Sequence, residues 1–474
     1  MGTVRVVAKN IGAFTIAKAI TMALGFVFLV LLARYLGDVD FGKLGFAQSF
    51  TEFLVVFADI GLSTVTIREL ARRKDQTPKF LSNIFMIKLL LSIATFGLIA
   101  LVINLLGYPQ DTVMVVYIIG GSAIITSFSA FLRSIFRAFE RLEYEAALNI
   151  VKSIIVTSVG ISILFAGYGL IEVAYAYIIA AVIDFGLALI LVTFKFSRPE
   201  FKLDPEFCKR IIYLALPFTV TILFGIIYLQ IDIVMLSIMK GDAPAGWYKA
   251  ATTLIYSLVF IPEVFGYAIF PVMSRLFISS KELLRRLLER SMKYLFMIGL
   301  PIAILTVAVS GEIIPFLYGE EYEPTIMILQ ILALYLPLRF MNHATGYTLS
   351  STDRQSRRAI SAILAAVFNV CLNLILIPIY GANGAAMATV ATEVVLFSFY
   401  YLFVSAHFHR VKLTPVLTKP LIASLPMIFT LYLLADFSPF ISVPLAVMIY
   451  LAVLFLINGM DQEDRRIIRE LLGR

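Results

Sequence analysis

Gly37-Asp38-Val39-Asp40-Phe41-Gly42 is matched 204 residues later by Gly241-Asp242-Ala243-Pro244-Ala245-Gly246, and each turn follows the long apolar helix that opens its half of the chain. A second match joins Arg141–Gly169 to Arg354–Gly384, at an offset of 213 to 215. In both copies a charged turn leads through ~20 apolar residues, enough to cross a bilayer, to a glycine-containing turn and another apolar segment. Self-similarity over such a period decides the architecture. The chain reads as two six-helix lobes and a hairpin: 1–206 with spans one to six, 207–406 with spans seven to twelve, and 407–474 with spans thirteen and fourteen and a tail.

Composition agrees. Of 474 residues, 60% are hydrophobic and 15% charged, where soluble domains run nearer ~45–50% apolar. Mean hydropathy is +0.93. At ~20 residues per crossing, this allows about fourteen crossings and little else. Apolar segments fall at 11–35, 42–64, 81–106, 112–132, 147–166, 170–194, 211–239, 247–272, 294–317, 325–349, 359–379, 385–405, 418–435 and 441–459. The expected fold class is therefore an all-α polytopic membrane protein of 14 transmembrane helices. A secreted disulfide scaffold is excluded; Cys208 and Cys371 lie too far apart for any metal-binding spacing. The N-terminal apolar run is too long for a signal-peptide core and reads as an uncleaved first span.

A net charge of +8 would point to nucleic acid in a soluble protein. Here the basic residues sort by side. Thirty-one lie in one set of connections and the two termini, from Arg5 and Lys9 through Arg68–Lys79, Arg133–Arg141, Lys195–Arg210, Arg275–Lys293, Arg354–Arg358 and Arg410–Lys419 to Arg465–Arg474. The alternate connections hold one, Lys240. That asymmetry puts both termini and the longer loops in the cytoplasm of a multi-pass cell-membrane protein, facing anionic lipid and no nucleic acid. Six being even, the two lobes enter from the same side, as parallel repeats about an axis along the membrane normal, and such pairs rock in alternating access. The longest inner loop, 274–293, carries Leu283, Leu284, Leu287 and Leu288 among arginines and is expected to lie on the membrane surface as an amphipathic helix.

Seven basic residues remain inside spans: Lys18, Arg34, Lys43, Lys88, Lys152, Lys249 and Arg339. A charge at mid-bilayer costs at least ~2.5–3.5 kcal/mol and needs water, a partner or a function. Lys43, Lys152 and Lys249 lie near helix ends, where they snorkel. Lys18, Lys88 and Arg339 lie deeper, and the first lobe holds most of the set, which makes it the better seat for an anion. Gly45, Gln48, Glu52 and Asp59 share one face of the second span. The substrate-binding candidates are thus Lys18, Arg34, Glu52, Asp59, Lys88 and Arg339; acid–base pairing between helices is the alternative role for each. In the second lobe, Asp232, Asn369, Asn373, Thr389 and Thr392 offer a carboxylate with amide and hydroxyl oxygens, which suits Na⁺, or H⁺ at the carboxylate alone; interhelical hydrogen bonding is the alternative. The chain has no HExxH, nucleophile elbow, Walker loop or CxxC pair, so it reads as no enzyme and needs no cofactor beyond a coupling ion.

Ala215-Leu216-Pro217 opening the seventh span, Ile231-Asp232-Ile233 near its end, and Gly381-Ala382-Asn383-Gly384-Ala385-Ala386 opening the twelfth resemble the polysaccharide transporter (oligosaccharide flippase) family of the multidrug/oligosaccharidyl-lipid/polysaccharide exporter superfamily. The resemblance implies flipping of a polyprenyl-(pyro)phosphate-linked oligosaccharide from the inner to the outer leaflet by a monomer. In the related lipid II flippases it implies a cation site on the seventh, eleventh and twelfth helices, here Asp232, Asn369, Asn373 and Thr389 or Thr392, with Asn373 standing where relatives add a carboxylate. It implies too that spans thirteen and fourteen help form a groove for the lipid tail. A multidrug antiporter of the same superfamily is the main alternative, but it calls for a more acidic cavity. A membrane glycan polymerase or ligase calls for larger outer loops than the three to eight residues present.

Overall fold

A computed structural model describes residues 2–198, 200 and 202–459, with side chains from residue 16 onward. The side chains of Arg5 and Lys9 and the basic tail from Arg465 to Arg474 lie outside the described residues. Among those described the chain is all helix, with no strand. The helices are α1 (Gly2–Asp59), α2 (Leu62–Arg72), α3 (Thr77–Leu105), α4 (Gln110–Ala138), α5 (Leu142–Phe165), α6 (Leu170–Lys195), α7 (Pro205–Lys240), α8 (Asp242–Ser279), α9 (Lys281–Tyr318), α10 (Pro324–Ala333), α11 (Tyr335–Ser351), α12 (Gln355–Tyr380), α13 (Ala382–His407), α14 (Leu413–Leu433) and α15 (Pro439–Leu456).

Among the described residues, length and hydropathy qualify 13 helical segments to cross a membrane. The first of these is really two. At 58 residues and ~1.5 Å per residue, α1 is about 87 Å long, nearly three times a ~30 Å hydrocarbon core. It breaks at Gly37, whose φ of 76° and ψ of 175° lie outside the helical region; a side chain would oppose that backbone, and glycine does not. Counting both pieces gives the fourteen crossings expected. The tenth crossing is also jointed, α10 and α11 meeting at Leu334, because Pro337 lacks the N–H that the Ala333 carbonyl would receive.

The surface helix expected at 274–293 does not form as a separate element. α8 runs on to Ser279 and α9 begins at Lys281, with Ser280 between them; its Oγ accepts from the Leu283 amide at 3.4 Å. Leu284, Leu288 and Met292 are fully buried while Arg285 and Arg286 stay exposed. The amphipathic pattern is thus spent on packing the first turns of α9.

The chain divides into two compact units. The first is Met1–Thr253 with Leu317–Glu321 and Val370–Ala385; the second is Leu254–Phe316, Tyr322–Asn369 and Ala386–Arg474. In the first, Leu62 and Val65 of α2, Ile84 of α3, Ile135 of α4, Val192 of α6 and Ile211 of α7 share one apolar core. Fully buried Ala174, Ala176, Ala180, Ala181 and Ala188 stud α6; such small side chains allow the close helix approach that drives packing in lipid. The start of α7 is tied down by polar groups. Asp204 accepts from the Phe207 amide (2.9 Å) and from Lys79 Nζ (2.6 Å), and Asn83 accepts from the Asp204 amide (2.7 Å). The Lys79 hydrogen bond holds the Asp204 carboxyl below its ordinary value.

In the second unit, Met297, Ala423, Met427, Ala446, Tyr450 and Leu454 pack α9 against α14 and α15. Pro301 removes the N–H that the Met297 carbonyl would take in an unbroken helix. The Tyr450 hydroxyl of α15 donates to that carbonyl instead, at 2.9 Å. An otherwise orphaned backbone group thereby fixes the final hairpin to α9.

Candidate functional site

The two repeat-related turns meet. A Cβ built on Gly42 would lie 1.9 Å from the Asp242 carbonyl oxygen, and one on Gly246 would lie 2.1 Å from that of Asp38. Gly42 is to Asp242 as Gly246 is to Asp38, so the contact is reciprocal, as in a two-fold interface. Only glycine fits at either position. One turn along, Gly45 packs against its own repeat mate, Lys249. Polar bonds continue the contact: Ser49 Oγ donates to Gln230 Oε1 (2.9 Å), and Gln230 Nε2 donates to Glu52 Oε2 (2.8 Å). Tyr108, in the α3–α4 connection, braces both sides. Its ring stacks on Phe46 with centroids 4.5 Å apart, and its hydroxyl shares a 2.9 Å hydrogen bond with Ser237, which donates to Asp242. Burial pushes the Tyr108 phenol up to about 12.

Ten residues before Asp242, on α7, the carboxylate of Asp232 is almost fully buried. It accepts from the Tyr248 hydroxyl at 2.7 Å and from the Asn373 amide nitrogen. Asp232 and Asn373 are thus brought into contact, and Tyr248, two residues past Gly246, joins them. No spacing or motif in the chain points to Tyr248, which arrives from the next helix. Asn369, Thr389 and Thr392 are buried in the second unit; the Thr392 hydroxyl donates to the Ala388 carbonyl at 2.7 Å. No group of three or more His, Cys, Asp or Glu that would hold a metal occurs among the described residues.

The face expected along the second span divides its attention. Glu52 turns to Gln230, whereas Asp59 turns to Lys88, which is fully buried. Lys88 Nζ donates to Asp59 Oδ1 (2.6 Å), Ser127 Oγ (2.7 Å) and the Ala58 carbonyl (3.3 Å), using all three of its donors. That geometry is the helix-pairing role for both residues, clamping α1, α3 and α4. Lys18 is half-buried and Arg34 exposed, on the stretch of α1 before Gly37. In the second unit Arg339 lies 3.7 Å from Glu393, which is fully buried and also accepts from Asn342 Nδ2 at 2.6 Å.

One buried pair escaped the sequence reading. Arg133, assigned there to an inner connection, lies within α4 and is hydrogen-bonded to the buried Asp184 of α6. An aspartate in the middle of a 26-residue apolar helix is itself the signal, since it demands a partner. Lys152 of α5 donates to Thr126 at 2.9 Å. Within the first six spans Lys88 and Arg133 are matched by the equally buried Glu145 and Asp184, and half-buried Lys152 by half-buried Asp59.

The second unit also holds a cavity of about 490 Å³, walled by Leu300, Ile304 and Val307 of α9, Ile428 and Leu431 of α14, and Pro439 at the start of α15. Its lining is largely apolar.

Residues 7–277, more than half of the chain, match the family described as polysaccharide biosynthesis protein, and residues 217–375 match MatE. The chain is 23% identical over 379 residues to the probable low-salt glycan biosynthesis flippase Agl15 of Haloferax volcanii, covering 79% of this chain and 78% of that one. It is 25% identical to a putative O-antigen transporter of Shigella flexneri, covering 75% and 88%. Among solved structures, the lipid II flippase MurJ in an inward closed conformation superposes with a TM-score of 0.79 at 19% identity, covering 97% of this chain and 99% of that one. An inward-facing MATE family multidrug resistance transporter of the MOP superfamily gives 0.67 at 17%, covering 81% and 95%.

Proposed function

This chain belongs to the polysaccharide biosynthesis protein family, and from that premise we propose that it is a flippase carrying a lipid-linked oligosaccharide from the cytoplasmic to the outer leaflet of the cell membrane. The names of its relatives support the cargo class. The observation that carries the reading is the basic pair Lys18 and Arg34 on the stretch of α1 before Gly37. An anionic (pyro)phosphate headgroup is attracted there, and a cationic drug is not. Lys18 and Arg34 are the headgroup contacts, with Glu52 toward the sugar. Lys88 and Asp59 position α1 beneath them. The apolar cavity between α9 and the last hairpin takes the lipid tail. Both termini face the cytoplasm, the two six-helix lobes rock as parallel repeats, one copy suffices, and no covalent step is involved.

In this scheme the Gly42–Gly246 contact is the outer seal. A coupling cation, H⁺ or Na⁺, acts at Asp232. Loading Asp232 competes with the Tyr248 hydrogen bond, and Tyr248 lies two residues from the seal, so ion occupancy and sealing are linked. Asp232→Asn should leave a folded protein whose transport no longer responds to an imposed ion gradient; an unchanged response would remove Asp232 from the coupling step.

Deleting the gene should trap the oligosaccharide lipid on the inner leaflet, and wild-type protein should restore outer-leaflet delivery. Lys18→Gln with Arg34→Gln should lower delivery roughly 10- to 100-fold, the net loss of one charge-assisted hydrogen bond at ~1.5–3 kcal/mol. Undiminished delivery by that variant would sink the headgroup assignment. The MatE match favours a second reading, a multidrug antiporter. Altered drug sensitivity on deletion, with normal leaflet distribution, would select it.

A further inference from the structure

At the basic end of the second unit, a cavity of about 470 Å³ lies between the first turns of α9, the α13–α14 connection and the first turns of α14. Seven basic side chains line it: Arg285, Arg286, Arg290 and Lys293 on one wall, Arg410, Lys412 and Lys419 on the other. Glu289 is the sole carboxylate among the lining residues, and it is already engaged. It accepts from His409 Nε2 at 2.8 Å and lies 3.5 Å from Arg285. Lys419 Nζ donates to the Asn458 carbonyl at 2.7 Å, tying the far wall to the end of α15. Pro415 and Val416 add an apolar strip.

Glu282, beside the lining, pairs with Arg285 (3.7 Å) and Arg286 (3.5 Å), yet seven basic residues still outnumber the two carboxylates, and such a concentration of positive charge attracts an anion. Depth selects the anion. From Arg285 to Lys293 is about 12 Å along α9, and from Pro415 to Lys419 about 6 Å along α14. The headgroup layer on each side of a bilayer is only ~5–8 Å thick, so the walls pass from water through that layer to the edge of the hydrocarbon. One turn beyond Lys293 and Lys419 stand Met297 and Ala423, members of the packed apolar cluster that ends the cavity. A basic floor and an apolar ceiling at headgroup depth fit a lipid phosphate, whose tails remain in the bilayer.

We propose that this cavity is a binding site for the phosphate group of an anionic membrane lipid. The guanidinium groups of Arg285, Arg286, Arg290 and Arg410 grip phosphate oxygens in pairs, and Lys293, Lys412 and Lys419 supply point charge. An occupied site bridges α9, α14 and the α13–α14 connection. The site is separate from the residues assigned to transport, and its existence does not depend on the flippase reading.

The test is lipid retention by purified full-length protein in detergent, measured by native mass spectrometry with no transport involved. The probes are phosphatidylglycerol, C55 polyprenyl phosphate, zwitterionic phosphatidylcholine and inorganic phosphate. The comparison variant is Arg290→Gln with Arg410→Gln and Lys412→Gln, accepted only if its helical content and lipid-free melting match the wild type. A milder Arg410→Lys with Lys412→Gln variant serves if it does not. Each basic residue is worth about five-fold in affinity for anionic lipid, so three should cost roughly 100-fold for at least one of the two lipid phosphates. Preference between phosphatidylglycerol and the polyprenyl phosphate then says whether bulk lipid or carrier lipid occupies the site. Equal retention of both by wild type and variant would overturn the proposal. So would phosphatidylcholine binding as well as phosphatidylglycerol, or inorganic phosphate displacing the lipids at equal concentration.

Discussion

The turns 37–42 and 241–246 present each other with the same backbone and with different side chains. Each inserts a glycine against the carbonyl that follows the other's first glycine. Each opens with a glycine at positive φ, 76° and 90°. Beyond the backbone the symmetry ends. Trp247 reaches across to donate to Asp38 at 2.8 Å. Its repeat mate Lys43 turns back, donating to Asp40 (3.0 Å) and Asp111 (2.6 Å) within the first six spans. Asp242 likewise stays at home with Ser237. The repeat has therefore kept what close approach requires and let the polar bonds drift, so the turns cohere through shape first and through one directional hydrogen bond second.

The sharpest way to break that symmetry is to fill it. Gly42→Val and Gly246→Val each place carbon about 2 Å from a carbonyl oxygen, and overpacking of this kind costs ~1–3 kcal/mol or more. Relief comes from parting the turns. In a chain with Cys208 and Cys371 replaced by serine, a cysteine at the fully buried Ser49 should become reactive to a membrane-impermeant thiol reagent, and transport should fall at least ten-fold. The two variants should match each other closely. If one is tolerated and the other is not, the contact is not reciprocal in the working protein.

The directional bond offers a smaller, one-sided effect. Trp247→Phe keeps the ring and removes the donation to Asp38, a loss of ~1–2 kcal/mol for a partly buried bond to a carboxylate. It should raise Ser49→Cys labelling several-fold. Asp40→Ala removes a bond of similar chemistry, the donation from Lys43, that lies within one turn. It should lower the melting temperature by a degree or two and leave labelling unchanged. Equal labelling in both variants would mean that the bond across the turns contributes nothing beyond ordinary stability.

The parts of this picture readable from sequence are those with a local cause. Fourteen crossings follow from length and hydropathy, and the break in α1 follows from Gly37 and the polar residues after it. The turn repeat was visible because glycine is irreplaceable where backbones touch, so the spacing stands out against diverged side chains. Partners supplied by distant helices were not visible. Tyr248 joins Asp232 across a turn, and Asp184 claims an arginine that reads as a loop residue because α4 runs further than its apolar stretch. Lys88 was legible as a buried charge; that Asp59 and Ser127 saturate its donors was not, since three helices bring them together. The arginine–leucine stretch at 281–293 carries a clear amphipathic period, yet periodicity alone does not say whether the apolar face meets lipid or protein.

Tyr108 braces both turns from the α3–α4 connection, and its titration gives the finest probe of the contact. The phenol's ordinary pKa is 10.0, and burial, reinforced by Asp242 and opposed by the Ser237 hydrogen bond, raises it to about 12. An unfolded chain ionises this residue as pH passes 10, while the folded chain keeps it neutral to about 12. Its stabilising contribution is therefore complete below pH 10 and is lost progressively between 10 and 12. At pH 11, one unit above the ordinary value, the loss is under about 1 kcal/mol once the partly exposed ring is discounted for solvent screening. Tyr108→Phe keeps the stack on Phe46 and cannot ionise. The melting temperature of wild type should therefore fall more steeply than that of the variant from pH 9.5 to 11.5, with parallel curves below. Curves that stay parallel throughout would show that Tyr108 is wetted in the working protein, leaving the second turn supported by Ser237 alone.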